Sequence, residues 1–227
     1  MKIPAIIPAR GGSKGVPDKN IKTINGIPLV AYPIIEAKKS EYIDRVYVST
    51  DDKKIAGIAE QFGAEIIDRP SIYAQDHSPD IDVMKHAVHA LKWYDDIIHL
   101  RATTPMIDHK ILDLGVRHYL SNEEATSMRS AHESPETAYK QLKINDQYWS
   151  GLFDNELKGD YWNSPRQSLP KTYQPNGYID IINGHHFMNK NSLYGDKCLA
   201  YITPYAHEVD TIEDFEILGA LYDTNKK

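Results

Sequence analysis

Three basic side chains, Arg10, Lys14 and Lys19, stand close together in Pro8-Ala9-Arg10-Gly11-Gly12-Ser13-Lys14-Gly15-Val16-Pro17-Asp18-Lys19-Asn20. Glycine takes positive φ without steric cost, so Gly11, Gly12 and Gly15 let successive backbone N–H groups face the same way. Such concavities bind phosphate oxygens, and full positive charges beside them strengthen the attraction. The expectation is a polyphosphate site in which Arg10, Lys14 and Lys19 neutralise charge, with Ser13 and the amides of Ala9, Gly11 and Gly12 in support. The competing reading is a glycine-rich turn with solvated charges. The spacing matches neither the P-loop pattern nor the dinucleotide fingerprint.

A second group of chemistry-bearing residues stands near the C-terminus, in His207-Glu208-Val209-Asp210-Thr211-Ile212-Glu213-Asp214. Glu208 and Asp210 lie two apart, so in extended chain they point to the same side and can share one cation. Alternatively Asp210 or Thr211 caps the last helix, with Glu213 and Asp214 in its first turn. Asp82, His86 and His89 have the spacing of a transition-metal site on a helix, but a half-exposed helix face explains them better.

The elements that must position these groups alternate. Ile3–Pro8 reads as a buried strand, Pro28–Ser40 as a helix, Arg45–Ser49 as a strand, and Asp52–Phe62 as a helix closed by Gly63. Ala64–Ile67 begins another strand. Ser78–Trp93 is a helix with Ile81, Met84, Val88 and Leu91 on its apolar stripe. Asp96–Leu100 is a strand, Asp108 caps a helix that runs to about Leu120, and Ala125–Ser130 is again a strand. This alternation predicts an α/β fold, a mostly parallel sheet with helices on both faces. In such sheets ligands bind beyond the carboxyl ends of the strands, where Arg10–Lys19, Ser49–Asp52, Arg69–Asp80 and Arg101–Pro105 all fall. From about Glu133 the alternation stops. After that irregular stretch come a strand at Tyr178–Ile182, a short piece at His185–Asn189, a strand at Leu199–Thr203, a helix at Thr211–Tyr222 and a frayed end at 225–227.

The 227 residues are long enough for one sizeable α/β domain. A net charge of −6 disfavours a nucleic-acid surface, so the basic loop is a local patch in an acidic chain. One cysteine, Cys198, excludes an intrachain disulfide and suggests a reducing compartment; its apolar surroundings in sequence predict a packing role. The absence of an 18-residue apolar run and a start directly in a strand suggest a cytoplasmic protein with no membrane span or signal peptide.

The motif Pro8–Pro17 with Lys19-Asn20 resembles the signature of the acylneuraminate cytidylyltransferases, the synthetases of CMP-sialic acid and related CMP-nonulosonic acids. The resemblance continues in order through Pro28–Tyr32, Val48–Asp51, Phe62–Glu65 with Arg69-Pro70, Thr103–Pro105, Arg166-Gln167 with Leu169-Pro170, Asn176-Gly177 and Val209–Thr211. It implies a Rossmann-like nucleotidyltransferase, one domain over 1–227, in which about 133–175 form an inserted arm that pairs two subunits into a homodimer. The implied reaction joins CTP and a nonulosonic acid with Mg2+ or Mn2+. Asn20, Arg69 and Ser78 match positions that hold cytidine, and Asp51 is a further candidate there, nearly as well explained as a helix cap. The family implies Asp210, with Glu208, for the metal and Lys19 nearest the α-phosphate.

A sugar acid's carboxylate calls for a cation, preferably an arginine, in its pocket. Arg166 with neighbouring Gln167 is the first choice and Lys140 the second, and in the family such residues reach across from a partner subunit. Arg101 and Asp180 stand where common sialic acid enzymes carry glutamine and tyrosine, which alters the charge of the acceptor pocket. Those departures point to a modified nonulosonate such as legionaminic or pseudaminic acid, between which the sequence does not choose. The rival readings are an enzyme of the same fold acting on another sugar or nucleotide, such as a Kdo activator, and a non-catalytic nucleotide-binding protein. Kdo activators usually lack the Gly-Gly-Ser-Lys-Gly run.

Overall fold

Successive side chains of a strand point to opposite faces, so a strand that is apolar on both sides must lie inside. Ile3, Ala5 and Ile7 enter one apolar cluster and Ile6 enters another, which puts β1 (Ile3–Pro8) at the centre of a two-sided core. The computed structural model describes residues 2–224, so the end expected to fray at 225–227 lies outside the described residues. In chain order the further strands are β2 (Thr23–Ile24), β3 (Ile27–Pro28), β4 (Ile43–Thr50), β5 (Glu65–Asp68), β6 (Asp96–His99), β7 (Ser127–Glu133), β8 (Leu142–Asn145), β9 (Tyr148–Gly151), β10 (Tyr173–Asn183) and β11 (Cys198–Ile202). The helices are α1 (Ala31–Lys39), α2 (Lys53–Gln61), α3 (Asp80–Leu91), α4 (His109–Leu120), α5 (Gly184–Lys190) and α6 (Ile212–Thr224).

Seven strands form one sheet in the order β11-β7-β10-β6-β1-β4-β5. β1 pairs in parallel with β4 and β6, β4 with β5, and β7 with β11, while β10 runs antiparallel to both β6 and β7. Val30, Ile34, Ile55, Ala59, Leu112 and Val116 from α1, α2, α4 and their approaches cover one face. Met84, Ala87 and Val88 of α3 and Phe187 of α5 cover the other. The expected mostly parallel sheet with helices on both faces is present.

Several local expectations are corrected. Pro28 sits in the β2–β3 hairpin and not in the first turn of α1. Leu29 and Val30 are nevertheless fully buried, which explains the apolar spacing that read as a longer helix. The short piece at His185–Asn189 is helical: Asn183 caps α5 by accepting from the His186 N–H at 3.1 Å, and Asn191 ends it in the left-handed region. Cys198 is exposed at the start of the edge strand β11 and does not pack in the core.

Between β7 and β10 the chain leaves the sheet. Tyr173, Gln174 and Pro175 pair with Glu133, His132 and Ala131, so the ends of the two strands form the stem of the excursion. Its tip is the β8–β9 hairpin. Inside it Tyr139 stacks on Phe153 at 4.2 Å and the Tyr161 hydroxyl accepts from the Phe153 N–H at 2.6 Å, whereas Ile144, Tyr148 and Trp149 are exposed. No described helix is long and apolar enough to cross a membrane. Phe187 is fully buried beneath the α3 face, so Phe187→Ala is expected to cost about 3–5 kcal/mol of stability. A urea titration should show the midpoint falling with the slope unchanged.

Candidate active site

The glycine-rich loop leaves β1 and is tied down by its neighbours. Asp51, just past β4, accepts the Gly11 N–H at 2.9 Å, while Asp52 caps α2 by accepting from the N–H groups of Lys54 and Ile55. Asp51 therefore orders the loop and Asp52 is the cap. Asn20, buried, donates from Nδ2 to the Arg10 carbonyl at 2.8 Å. A Cβ on Gly15 would sit 2.9 Å from the Asp210 carbonyl, so only glycine there admits the C-terminal segment.

Two expectations about the loop are corrected on these grounds. The Gly11 N–H is spent on Asp51, and Gly11 and Gly12 line a small recess beside Asp18 and Asp52 that adjoins the main crevice through Arg10, Ser13, Lys19 and Asn20. Ala9 is buried in the core, with its N–H donating to the Ser49 carbonyl at 2.9 Å. The anion-binding capacity therefore rests on the basic side chains more than on a row of amides.

Those side chains converge on a crevice of about 560 Å3 at the carboxyl ends of β1, β4 and β6. Arg10, Ser13, Lys14, Lys19, Asn20, Arg69, Ser78, Arg101 and Asp210 all line it, although sequence separates the first from the last by most of the chain. Arg10, Lys14, Lys19 and Arg101 are each paired with a carboxylate, and Arg69 with backbone carbonyls. Asp76 bridges Arg10, at 2.9 Å, and Lys14. Lys19 donates to the Val209 carbonyl at 2.9 Å and to Asp210 at 3.1 Å. Arg69 is buried and donates to the carbonyls of Ser49 and Tyr73, with burial pulling its pKa down from the usual guanidinium value. Its Nε has no hydrogen-bond partner among the described residues. Ser78 accepts from the Gln75 N–H at 3.0 Å and closes the turn opposite.

Four candidates lie elsewhere. Arg166 and Gln167 line a second cavity of about 380 Å3 on the excursion, where Arg166 donates to the Ser134 carbonyl at 3.4 Å. Lys140 ends a short 3-10 turn on the same excursion. Asp180 offers no open carboxylate to a ligand: it is 2% exposed and accepts from the Ser130 N–H at 3.2 Å and the Tyr194 hydroxyl at 2.8 Å. Burial nonetheless raises its pKa against the pull of Tyr194 and the nearby guanidinium groups.

Glu208 is exposed as a residue, yet burial of its carboxyl group and then the charge of Asp210 raise its pKa. Two carboxylates that repel each other in this way form a donor pair that a hard divalent cation relieves, so the pair fits Mg2+. The described cluster of three carboxylate or imidazole groups close enough to share an ion is a different one, Glu36, Asp108 and His109. There Asp108 caps α4, and Glu36 accepts from the His109 N–H and ring. On α3, His86 packs against the Tyr73 ring at 5.4 Å, and His89 meets the Tyr94 hydroxyl at 3.1 Å.

Sequence reasoning missed Asp76, Asp80 and His99. Asp80 starts α3 and pairs with Arg101 at 2.7 Å. His99 is 2% exposed on the crevice floor, and its Nε2 has no hydrogen-bond partner among the described residues. A signal existed in the run Ile97-Ile98-His99-Leu100, where one polar residue interrupts an apolar strand at its carboxyl end. Register places His99, Asp180 and Arg129 side by side on three adjacent strands, with the Arg129 guanidinium 4.5 Å from the Tyr194 ring centre.

A crevice beyond parallel strand ends, lined by cations with Asp76, Asp80 and Asp210 among them, is where α/β proteins of this kind bind an anionic ligand such as a nucleotide. Residues 4–197 match the family model described as cytidylyltransferase, and the chain belongs to that family. It is 33% identical over 218 residues to an N-acylneuraminate cytidylyltransferase of Escherichia coli O18:K1:H7, a match covering 95% of this chain and 51% of the relative. The chain thus spans about half the length of that relative. It is 28% identical to a pseudaminic acid cytidylyltransferase of Campylobacter jejuni, covering 99% of this chain and 98% of the relative. Among solved structures, a CMP:2-keto-3-deoxy-manno-octonic acid synthetase complexed with CTP shares the fold, with TM-score 0.75 and 19% identity over 99% of this chain and 100% of that one.

Burial and the guanidinium groups of Arg101 and Arg129 push the His99 pKa down to about 3, against the pull of Asp80. The unfolded chain, with an imidazole pKa near 6.5, binds the proton first. This contribution to stability is therefore present above pH 6.5 and lost as the pH falls towards 3. His99→Leu is expected to flatten the acid limb of urea midpoint against pH, leaving the part due to Asp80 and the other carboxylates.

Proposed function

We infer that this protein is a cytidylyltransferase that joins CTP and a nonulosonic acid into a CMP-sugar acid and pyrophosphate. The observation that carries the reading is the convergence of Arg10, Lys14 and Lys19 with Asn20, Arg69 and Ser78 in one crevice. The three cations suit a triphosphate, and the second set lies where a pyrimidine nucleoside would adjoin it. Relatives named for N-acylneuraminate and pseudaminic acid support the acceptor class.

The acceptor's hydroxyl oxygen attacks the α-phosphorus in line. A new P–O bond forms as the bond to the β-phosphate oxygen breaks, pyrophosphate leaves, and the hydroxyl proton passes to solvent. The protein's task is then to position the reactants and neutralise phosphate charge. Asp76 sits between Arg10 and Lys14 with one oxygen on each, so it marks where phosphate oxygens would lie. Lys19, anchored through Val209 and Asp210, would neutralise charge on the α-phosphate, as the family resemblance implies. Asp210 and Glu208 would hold Mg2+ or Mn2+, which spreads charge on the leaving pyrophosphate when bound. Arg101 supplies the cation for the acceptor carboxylate.

The exposed Ile144, Tyr148 and Trp149 at the tip of the excursion support a homodimer in which Lys140, Arg166 and Gln167 complete the partner's acceptor pocket. The single, exposed thiol of Cys198 is compatible with a reducing, cytoplasmic setting.

Purified protein with Mg2+ is expected to release pyrophosphate with CTP, and not with ATP, GTP or UTP, when offered N-acetylneuraminic, legionaminic or pseudaminic acid. No release with any of these acids would sink the reading, and release only with Kdo would move it to the Kdo activators. Lys19→Ala is expected to lower turnover by roughly 100-fold or more. Asp210→Ala should raise the Mg2+ concentration needed for half-maximal rate; an unchanged metal dependence would remove Asp210 from the metal site.

A further inference from the structure

We propose that Asp80 is a positioning residue for acceptor recognition, which together with the missing side chain at Gly177 fixes the Arg101 guanidinium in the crevice with donors left for a carboxylate. The proposal rests on the cytidylyltransferase reading and assigns a selection device within it.

The geometry is specific. Arg101 follows β6, and its side chain runs across Gly177 in β10: a Cβ at Gly177 would lie 2.6 Å from the Arg101 Cδ and 3.0 Å from its Cγ. Gly177 is buried and has φ +61°, so both its backbone and its neighbour exclude a side chain there. The only described hydrogen bond of the Arg101 guanidinium is from Nη2 to Asp80 Oδ2 at 2.7 Å. A guanidinium has five N–H donors in a rigid fork, so one edge is held while others stay available.

The pair is mostly withdrawn from solvent yet still reachable, with side chains 28% and 43% exposed, and both residues line the crevice together with His99. Asp80 is itself fixed, because it opens α3, whose Met84, Ala87 and Val88 are locked in the core. A long, flexible cation is thereby turned into a directed one, which lowers the entropy lost when an anion docks. The charges around the pair cohere. Register sets Asp180 between His99 and Arg129, its carboxylate accepts from the Tyr194 hydroxyl, and His99 is held uncharged by burial and the Arg101 and Arg129 guanidinium groups. Arg101 lines the crevice whereas Arg129 does not, so of these two described guanidinium groups Arg101 is the one an acid there would meet.

Steady-state kinetics test this with whichever panel acid the wild-type protein turns over fastest. Asp80→Asn keeps the side-chain volume and removes the charge. It is expected to raise the KM for that acid roughly tenfold, with the KM for CTP, and CTP affinity by calorimetry, within about twofold of wild type. Asp80→Glu should recover part of the loss. Gly177→Ala should raise the same KM, and the double variant Asp80→Asn/Gly177→Ala should fall short of the product of the two effects, because both act through Arg101. If Asp80→Asn leaves the acid's KM unchanged, or raises both KM values alike, Asp80 has no such role. Failure of the wild-type protein to turn over any acid while still binding CTP would instead remove the reading on which the proposal rests.

Discussion

Positive charges packed into one crevice repel one another, and this structure answers that constraint by giving the crevice cations carboxylates from distant segments. Asp210 reaches Lys19 from the far end of the chain, Asp76 reaches Arg10 and Lys14 from the loop after β5, and Asp80 reaches Arg101 from the start of α3. Partly exposed ion pairs contribute little to stability individually. Their importance is geometric: each pair ties a binding side chain to a separate element, so the crevice forms only when the whole sheet has assembled.

The sheet makes that assembly possible. Parallel strands deliver their following loops to one edge, and β1, β4 and β6 do so with the glycine-rich loop, Asp51 and Arg101 respectively. β10 runs the other way between β6 and β7, carrying Gly177 past Arg101 and aligning Asp180 between His99 and Arg129. The same reversal launches the excursion, whose stem is continuous with the sheet and whose apolar tip is left in solvent. One strand thus carries Gly177 past Arg101 and forms half of the excursion's stem.

The fold was largely legible in the sequence, because alternating apolar periods and capping residues report burial that each element carries locally. Asp108 was readable as a cap and β1 as a buried strand from types and spacing alone, whereas the cap role offered to Asp51 falls to Asp52. The errors lie where local pattern and tertiary context conflict. Leu29 and Val30 read as a helix face but pack after a hairpin, and Cys198 reads as core but sits at a sheet edge. Asp180 reads as a pocket residue but is turned inward to Tyr194.

By itself the sequence determined that the protein is an acidic α/β chain with a basic, glycine-rich loop at a strand end, and it named Arg10, Lys14, Lys19 and Asp210. The loop reading depends on residue type and short spacing, which local sterics translate directly into structure, whereas the metal role of Asp210 came from the family resemblance. Only the tertiary structure decided which carboxylate holds which cation, that the Gly11 amide is already taken, and that His99 and Asp80 line the crevice with Arg101. These are contacts between segments tens to hundreds of residues apart, set by strand order and register, and no local periodicity encodes them.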